Sequence, residues 1–302
     1  MKCDILIIGA GPAGLTAAMY SARANMKTVV AEKLASGGQL AQIPVIENYP
    51  GAGKIGGFDL AEQFKAQAVR LGAEIVSAAV LDIEPLESGR FNVRTSGENI
   101  DAGAVIIATG AKKSKLGIEG EKELTGSGVS YCATCDGNFF KGLDTAVIGG
   151  TPTALEDAIY LSALCGKVYL IYRSSEDIDK AKAEGEIPDN IVLMPDTVAT
   201  KINGMFSVEG LDVSHKDGQN ETLAVSGVFV SIGTEPVVGF APSGVKLDSK
   251  GYIITNDLAT DVPGIFAAGD VVSGNMKQVV VAASDGAKAS EKARLYAKKH
   301  RA

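Results

Sequence analysis

The chain has 302 residues, of which 46% are hydrophobic and 22% are charged, and it carries a formal net charge of −7. This length and hydrophobic content allow two domains with separate cores, whereas the negative charge argues against general nucleic-acid binding. No apolar run approaches the roughly 20 residues of a membrane helix, and the run Ile5–Ile8 is too short for a signal peptide. We therefore expect a cytoplasmic protein, in which a disulfide is more often catalytic than structural.

The chain begins with a pattern that is typical of dinucleotide binding. A buried strand over residues 2–8 leads into Gly9-Ala10-Gly11-Pro12-Ala13-Gly14 and then into a helical pattern over residues 15–24. The glycines let the backbone approach a pyrophosphate, which the N-terminus of the helix stabilises. A second strand ends at Glu32, 18 residues beyond Gly14, where an acid that binds an adenosine ribose is expected. The alternative is a glycine-rich turn that binds nothing.

Two segments farther along place glycines and amides within reach of such a nucleotide. Gly37-Gly38-Gln39-Leu40 and Glu47-Asn48-Tyr49-Pro50-Gly51 form an irregular loop, and loops often carry ligand contacts. A buried strand then ends at Ala108-Thr109-Gly110. The polar, glycine-dotted residues 112–128 predict the first crossing between domains.

The middle of the chain contains a Cys-x-x-Cys pair, Cys132-Ala133-Thr134-Cys135, with Asp136 directly after it. Two cysteines at this spacing can close a disulfide across one turn, and such thiols often ionise readily. A zinc site is the first alternative, but it needs further ligands, and the remaining cysteines and histidines are scattered along the chain. A structural disulfide is the second. We favour a redox pair.

A second nucleotide-binding pattern follows the cysteines, but it is incomplete. A strand over residues 144–148 leads into Gly149-Gly150-Thr151-Pro152-Thr153-Ala154 and a helical pattern over residues 155–164. Thr151 brings a branched side chain to the turn, and Pro152 removes a backbone donor. The next strand is followed by a lone Arg173 and then by acids, whereas the 2'-phosphate of NADP favours clustered arginines. These changes predict a poor nicotinamide site, the alternative being an unusual site that works.

The segment from Asp179 to Ile191 is short and is broken by Gly185 and Pro188, which does not favour a long helix. After a meander of strands, an apolar strand ends at Gly269-Asp270, where the carboxyl end of a strand faces a ligand crevice. Asp270 is thus a candidate to bind the ribityl chain of a flavin. Lys277-Gln278-Val279 opens the last helix, whose N-terminal dipole would stabilise negative charge on a reduced flavin. Simple helix capping against the sheet explains this spacing equally well.

Together these motifs closely resemble those of the low-molecular-weight thioredoxin reductases, over nearly the whole chain. The resemblance implies an α/β fold with two Rossmann-like dinucleotide-binding domains of three-layer type, the first split in sequence and the second inserted into it. The FAD-binding domain would comprise residues 1–112 and 242–302, a smaller module over 113–241 would carry the cysteine pair, and the protein would be a homodimer. FAD is the implied cofactor, without a metal. Its expected contacts are Gly9, Gly11, Pro12, Ala13, Gly14, Glu32, Gly38, Gln39, Leu40, Asn48, Thr109, Gly110, Asp270, Lys277, Gln278 and Val279.

The resemblance also implies roles for the three residues at the cysteine pair. Cys135 would lie against the flavin and receive its electrons, and Cys132 would attack the disulfide of thioredoxin or a thioredoxin-like protein. Asp136 would supply or take a proton. This division fits thiol–disulfide exchange, in which an exposed thiolate attacks and its partner resolves the mixed disulfide.

The incomplete second nucleotide site resembles the branch of this family that does not use pyridine nucleotides, in which reduced ferredoxin delivers electrons to the flavin. We therefore expect ferredoxin-linked reduction of thioredoxin. Three alternatives stay open: an NADPH-dependent reductase with an atypical cofactor site, a dithiol oxidase that uses O2, and a flavin-bearing sensor module without turnover.

Overall fold

The computed structural model describes residues 1–34 and 36–300, so Ala35, Arg301 and Ala302 lie outside the described residues. The chain divides into two compact units. Unit one comprises Met1–Lys112 and Glu235–Ala302, and unit two comprises Lys113–Thr234. The predicted fold class is therefore confirmed, with one α/β unit split in sequence and the other inserted into it.

The first part of the chain builds most of one sheet. Its strands and helices, in chain order, are β1 Lys2–Ile8, α1 Pro12–Arg23, β2 Thr28–Glu32, α2 Gly57–Arg70, β3 Glu74–Ser77, β4 Val80–Pro85, β5 Phe91–Thr95, β6 Ile100–Ile107 and β7 Ala111–Lys113. Strand β1 is an almost continuous apolar run because it is buried on both faces, with Ile5, Leu6 and Ile7 fully inaccessible. Pro12 begins α1 at the first helical position, where its fixed φ suits the helix and its missing N–H goes unneeded.

Unit two contains a parallel sheet in the order β11-β10-β9-β15-β8 and an antiparallel meander β12-β13-β14. Its strands and helices are β8 Val129–Ser130, α3 Ala133–Asp136, β9 Thr145–Ile148, α4 Pro152–Ser162, β10 Val168–Ile171, α5 Glu176–Glu184, β11 Ile191–Met194, β12 Thr197–Asn203, β13 Gly210–His215, β14 Asn220–Leu223 and β15 Gly227–Val230.

Helix α5 is short, as the break at Gly185 indicates, and it has 9 residues. It begins before Asp179, because the Ser175 side chain accepts a hydrogen bond from Ile178 N at the N-terminus of the helix. It ends at Gly185, which has a φ of 73°. A glycine in this left-handed conformation is a common helix stop.

The chain returns through β16 Thr234–Pro236, which pairs with β7, and then adds β17 Ile265–Ala267 and α6 Val279–Lys299 to unit one. The second part of unit one begins at Glu235, seven residues before the predicted boundary at residue 242. The chain passes between the units at the paired strands β7 and β16.

In the sheet of unit one, β3, β2, β1, β6 and β17 run parallel, and the hairpin β4–β5 extends β6 in antiparallel pairing. Parallel strands leave their carboxyl ends on one edge of a sheet, where α/β proteins bind ligands. The turns after β1, β6 and β17 all lie at that edge. No helix among the described residues is long and apolar enough to cross a membrane.

Candidate active site

The glycine turn after β1 packs against protein atoms at Gly9 and Gly14 but not at Gly11. A Cβ added at Gly9 would lie 2.5 Å from Ala108 O, and one added at Gly14 would lie 1.9 Å from Gly9 O. A Cβ at Gly11 would meet no protein atom within 4 Å. Gly9 and Gly14 are therefore required for the chain to pack on itself, whereas Gly11 leaves a surface free for a close ligand.

Glu32 ends β2 beside this turn. Its Oε2 accepts a hydrogen bond of 2.8 Å from Ala10 N, and its Oε1 accepts one of 2.9 Å from Leu34 N. Each carboxylate oxygen has two lone-pair directions. Glu32 is thus oriented by the turn and retains acceptor capacity for the hydroxyls of a ribose.

The loop after β2 lies against the same turn. A Cβ at Gly38 would sit 3.4 Å from Gly11 Cα, and the φ of Gly38 is +57°, so a side chain there would be strained. Gln39 donates through Nε2 to the carbonyl of Ala111, beyond the end of β6. Leu40 is buried. The structure thus brings Gly38 beside the glycine turn and Gln39 to the end of β6.

The segment around Asn48 meets the start of the last helix. Asn48 Nδ2 donates a hydrogen bond of 3.0 Å to Gln278 Oε1, and Lys277 Nζ donates one of 2.8 Å to the Tyr252 hydroxyl. Gln278 is the N-cap residue of α6, yet its side chain does not cap the helix. The role of Lys277-Gln278-Val279 at a flavin stays a prediction, beside that of helix capping against the sheet.

Thr109 and Gly110 follow β6 at the crevice edge. The Thr109 hydroxyl donates a hydrogen bond of 2.7 Å to Val237 O, and Gly110 has a φ of +66°. Asp270 stands in the short 3₁₀ turn Gly269–Val271 after β17 and is partly exposed. These residues line the carboxyl edge of the sheet, but Thr109 is already bonded to the protein.

Sequence reasoning missed the residues that hold the Asp270 turn in place. Asp285, which is 7% exposed on α6, accepts a hydrogen bond of 3.2 Å from Gly269 N and another from Asn275 Nδ2. Asn275 Nδ2 also lies 3.1 Å from Gly269 O. An acid within the small-residue face of α6 was the only signal in the sequence that could have revealed this support.

In unit one, the open turn, the oriented acid and the N-terminus of α6 fit a dinucleotide that carries a flavin. The turn would hold the pyrophosphate, Glu32 the adenosine ribose, and α6 the flavin end. Every expected contact named from the sequence belongs to this unit.

The cysteine pair lies in unit two, and Cys132 and Cys135 form a disulfide with a Cα–Cα distance of 5.3 Å. Cys132 is the extended N-cap residue of α3. Its carbonyl accepts from Cys135 N at 3.3 Å and from Asp136 N at 3.2 Å. The disulfide therefore closes a single helical turn, and the acid follows on the same turn.

The Asp136 side chain lies beside the cysteine pair in a partly buried, hydrogen-bonded environment. Its Oδ2 accepts a hydrogen bond of 2.6 Å from the Ser130 hydroxyl. Burial raises the pKa of Asp136 above the usual range, and the Ser130 hydrogen bond and the positive charge of Lys113 act against this rise. Lys113 Nζ itself donates to Tyr131 O at 2.7 Å, next to Cys132.

The second nucleotide-like turn differs from the first at one decisive position. Thr151 stands where Gly11 stands in unit one, and its Oγ1 accepts a hydrogen bond of 3.2 Å from Ala154 N. The side chain therefore occupies the N-terminus of α4 that a phosphate would use. Pro152 does not distinguish the two turns, because Pro12 holds the same first helical position in unit one.

The ribose position has changed as well. Ile8 pairs with Ala31 and Ile148 pairs with Ile171, so Tyr172 corresponds to Glu32. Tyr172 is 4% exposed and belongs to a hydrophobic core. The first turn of α5 then carries acids, which are Glu176, Asp177 and Asp179. Negative charge there disfavours a phosphate.

Comparison with known proteins agrees with this combination of fold and site. Residues 3–286 match the family described as Pyridine nucleotide-disulphide oxidoreductase. A thioredoxin reductase of Treponema pallidum is 43% identical over 298 residues, which are 97% of this chain and 96% of that protein.

Solved structures agree as well. A thioredoxin reductase structure from Streptococcus pyogenes superposes with a TM-score of 0.92 at 38% identity, covering 99% of both chains. A ferredoxin-flavin thioredoxin reductase from Clostridium acetobutylicum superposes with a TM-score of 0.55 at 31% identity, covering 99% of this chain and 98% of that one. The chain belongs to the pyridine nucleotide-disulphide oxidoreductases and, within them, to the low-molecular-weight thioredoxin reductases. The cofactor of this family is FAD.

Proposed function

We propose that the protein reduces thioredoxin or a thioredoxin-like protein through the Cys132–Cys135 dithiol, with reduced ferredoxin as the electron donor. FAD, when bound, supplies the two electrons that open the disulfide. The cysteine pair on one helical turn, with Asp136 beside it, supports the dithiol step.

In this proposal, the thiolate of Cys132 attacks one sulfur of the substrate disulfide, and Cys135 then resolves the mixed disulfide. Cys135 would be the sulfur that receives electrons. Asp136 holds a raised pKa and lies within the same turn, so it would donate and accept the protons of the exchange.

The single observation that carries the donor assignment is the capped turn at Thr151. Within one chain, the turn that would hold FAD has an open Gly11, whereas the turn that would hold a nicotinamide nucleotide has a threonine whose hydroxyl bonds Ala154 N at 3.2 Å. The buried Tyr172 in place of a ribose-binding acid points the same way.

NADPH is the second candidate donor, and the family's description as pyridine nucleotide-disulphide oxidoreductases favours it. One anaerobic experiment separates the two. The oxidised holoprotein is mixed with NADPH and, separately, with reduced ferredoxin, and bleaching of the visible flavin band is followed in time. We expect rapid bleaching with ferredoxin only, and rapid bleaching with NADPH would overturn the donor assignment.

The same preparation tests the remaining alternatives. Oxygen uptake with a small dithiol, without turnover of thioredoxin, would indicate a dithiol oxidase. Flavin binding without catalytic reduction of any disulfide would indicate a sensor module.

A homodimer and a cytoplasmic location complete the proposal. An open apolar groove in unit one, between α1, α2 and the start of α6, supports self-association. Light scattering on the holoprotein tests the homodimer, and a monomeric mass at micromolar concentration would contradict it.

A further inference from the structure

Ser130 is a buried hydroxyl that joins the acid to the backbone of the attacking cysteine. It is the last residue of β8 and is 5% exposed. Its Oγ lies 2.6 Å from Asp136 Oδ2 and 3.0 Å from Cys132 N. One hydroxyl therefore contacts both partners of the chemistry proposed above.

The direction of these hydrogen bonds follows from the chemistry of the groups. A backbone N–H can only donate, so Cys132 N–H occupies a lone pair of the Ser130 oxygen. The hydroxyl has one proton, and the Asp136 carboxylate at 2.6 Å is a stronger and closer acceptor than Cys132 O at 3.4 Å. The Ser130 proton is therefore directed at Asp136.

Few charged groups share this environment with Asp136. Lys113 is the cation that lowers the pKa of Asp136 alongside Ser130. Helix α4 packs on α3 and contributes Asp157, whose pKa also responds to Lys113, and Tyr160, which lies near Gly137. The buried thiol of Cys165 belongs to the same core as Ala133. Because burial opposes ionisation of Asp136, the Ser130 hydrogen bond is one of two contacts that favour the carboxylate.

We propose that Ser130 is a positioning residue that keeps Asp136 able to both release and accept a proton during each turnover. This inference rests on the proposed dithiol exchange. In the first step, the Cys132 thiolate bonds one substrate sulfur, the substrate disulfide breaks, and the leaving sulfur takes the proton of Asp136.

In the second step, the Asp136 carboxylate accepts the proton of the Cys135 thiol. Cys135 then bonds the sulfur of Cys132, and the second substrate sulfur leaves with that proton. The enzyme dithiol becomes a disulfide, the substrate disulfide becomes a dithiol, and both substrate protons pass through Asp136. An acid that stayed protonated at all working pH values would block the second step.

The test is an infrared pH titration of the oxidised holoprotein, in which the two cysteines of the pair do not titrate. The carboxylic C=O band of protonated Asp136 is assigned by its loss in Asp136→Asn. Ser130→Val and Ser130→Thr form a matched pair of equal size that differ only in the hydroxyl, and Ser130→Ala is a smaller second variant.

We expect the midpoint of the Asp136 band to rise by about one pH unit in Ser130→Val and Ser130→Ala, the effect of one hydrogen bond to a charged group. Ser130→Thr should keep the wild-type midpoint. An unchanged midpoint in both variants that lack the hydroxyl would overturn the proposal.

Ser231 supplies a matched control in the same unit, because its hydroxyl donates a hydrogen bond of 2.8 Å to another half-buried carboxylate, Asp157. Ser231→Ala should leave the Asp136 band in place, and an equal shift there would also overturn the proposal, since any serine loss would then suffice.

A kinetic arm links the titration to turnover. In the pH profile of turnover, the limb that depends on ionised Asp136 should move to higher pH by the same amount in Ser130→Val, and the KM for thioredoxin should not change. A limb that stays in place would overturn the role of Ser130 in turnover. If no variant and no wild-type sample reduces thioredoxin, the proposed function fails, while the infrared arm still decides whether Ser130 governs Asp136.

Discussion

The side-chain amide of Asn48 donates a hydrogen bond of 3.0 Å to Gln278, although the two residues lie 230 positions apart in the sequence. Both were named as FAD contacts from separate motifs, one in the loop after β2 and one at the start of α6. Their direct contact means that the two motifs act as a single element of unit one. It also means that α6 is tied at its N-terminus to the loop through Asn48.

This contact yields the first prediction. Asn48→Ala should weaken FAD binding about five-fold, since one hydrogen bond contributes about 1 kcal/mol. Titration of the apoprotein with FAD, followed by flavin fluorescence, measures the change. Asn92→Ala is the matched control, because Asn92 Nδ2 makes a similar bond of 3.1 Å to Glu84 on the β4–β5 hairpin. Equal affinities in Asn48→Ala and Asn92→Ala would contradict the placement of Asn48 at the cofactor.

The glycine turn gives a second prediction, which separates folding from binding. Gly14→Ala should lower the melting temperature and abolish FAD binding, because its Cβ would lie 1.9 Å from Gly9 O. Gly11→Ala should leave the apoprotein as stable as the wild type, because its Cβ points into open space, and yet weaken FAD binding by filling the approach to the pyrophosphate. Thermal unfolding of the apoproteins and FAD titration test the pair, and a Gly11→Ala protein that binds FAD normally would contradict the proposed pyrophosphate position.

Local patterns in the sequence were sufficient for the turn, the acid and the disulfide. The contacts of Gly9, Glu32 and Cys132 are made with residues a few positions away or on the adjacent strand. The strand–turn–helix geometry fixes the spacing of such residues in the sequence. The same holds for the damage at Thr151, which the structure explains as a helix cap.

What the sequence could not supply were contacts between distant segments. Asp285 supports the Asp270 turn across the crevice edge, and nothing in the spacing of a small-residue helix indicates which carboxylate will be buried. The Ser130–Asp136 bond depends on how β8 meets α3. Pro152 was weighted too heavily because its equivalence with Pro12 becomes clear only when the two turns are compared as structures.

A third prediction concerns the redox pair. Cys135→Ser should keep FAD bound, since the predicted cofactor contacts lie in unit one, but should abolish reduction of thioredoxin because no disulfide can close on Cys132. Flavin absorbance and steady-state turnover are the two measurements. Cys165→Ala is the control in the same unit, since Cys165 is buried and burial raises the pKa of its thiol. Full activity in Cys135→Ser would contradict the assigned roles.

A fourth prediction concerns stability and pH. Burial raises the pKa of Asp136 in the folded protein, so the folded state binds this proton more tightly than the unfolded chain. Stability should therefore fall as the pH rises from about 3.9, the usual value for an unfolded Asp, up to the raised pKa. Asp136→Asn removes this loss while its amide oxygen still accepts from Ser130.

The measurement is chemical unfolding of both proteins at a series of pH values from acid to neutral. Asp136→Asn should unfold at a higher denaturant concentration than the wild type at neutral pH, and the two midpoints should converge in acid. A variant that is less stable than the wild type, by the same margin at every pH, would contradict the raised pKa.

The last prediction addresses the capped turn in unit two. Thr151→Ala removes the side chain that accepts from Ala154 N and should lower the free energy of unfolding by about 1 kcal/mol. Thr153→Ala is the matched control, because Thr153 is exposed on the same helical turn and should change stability by less than about 0.5 kcal/mol. Thr151→Ala should not create reduction by NADPH, since the buried Tyr172 and the acids at the start of α5 remain. Rapid flavin bleaching by NADPH in Thr151→Ala but not in the wild type would show that the threonine alone blocks nucleotide binding. Tyr172 and the acids of α5 would then have no part in excluding NADPH.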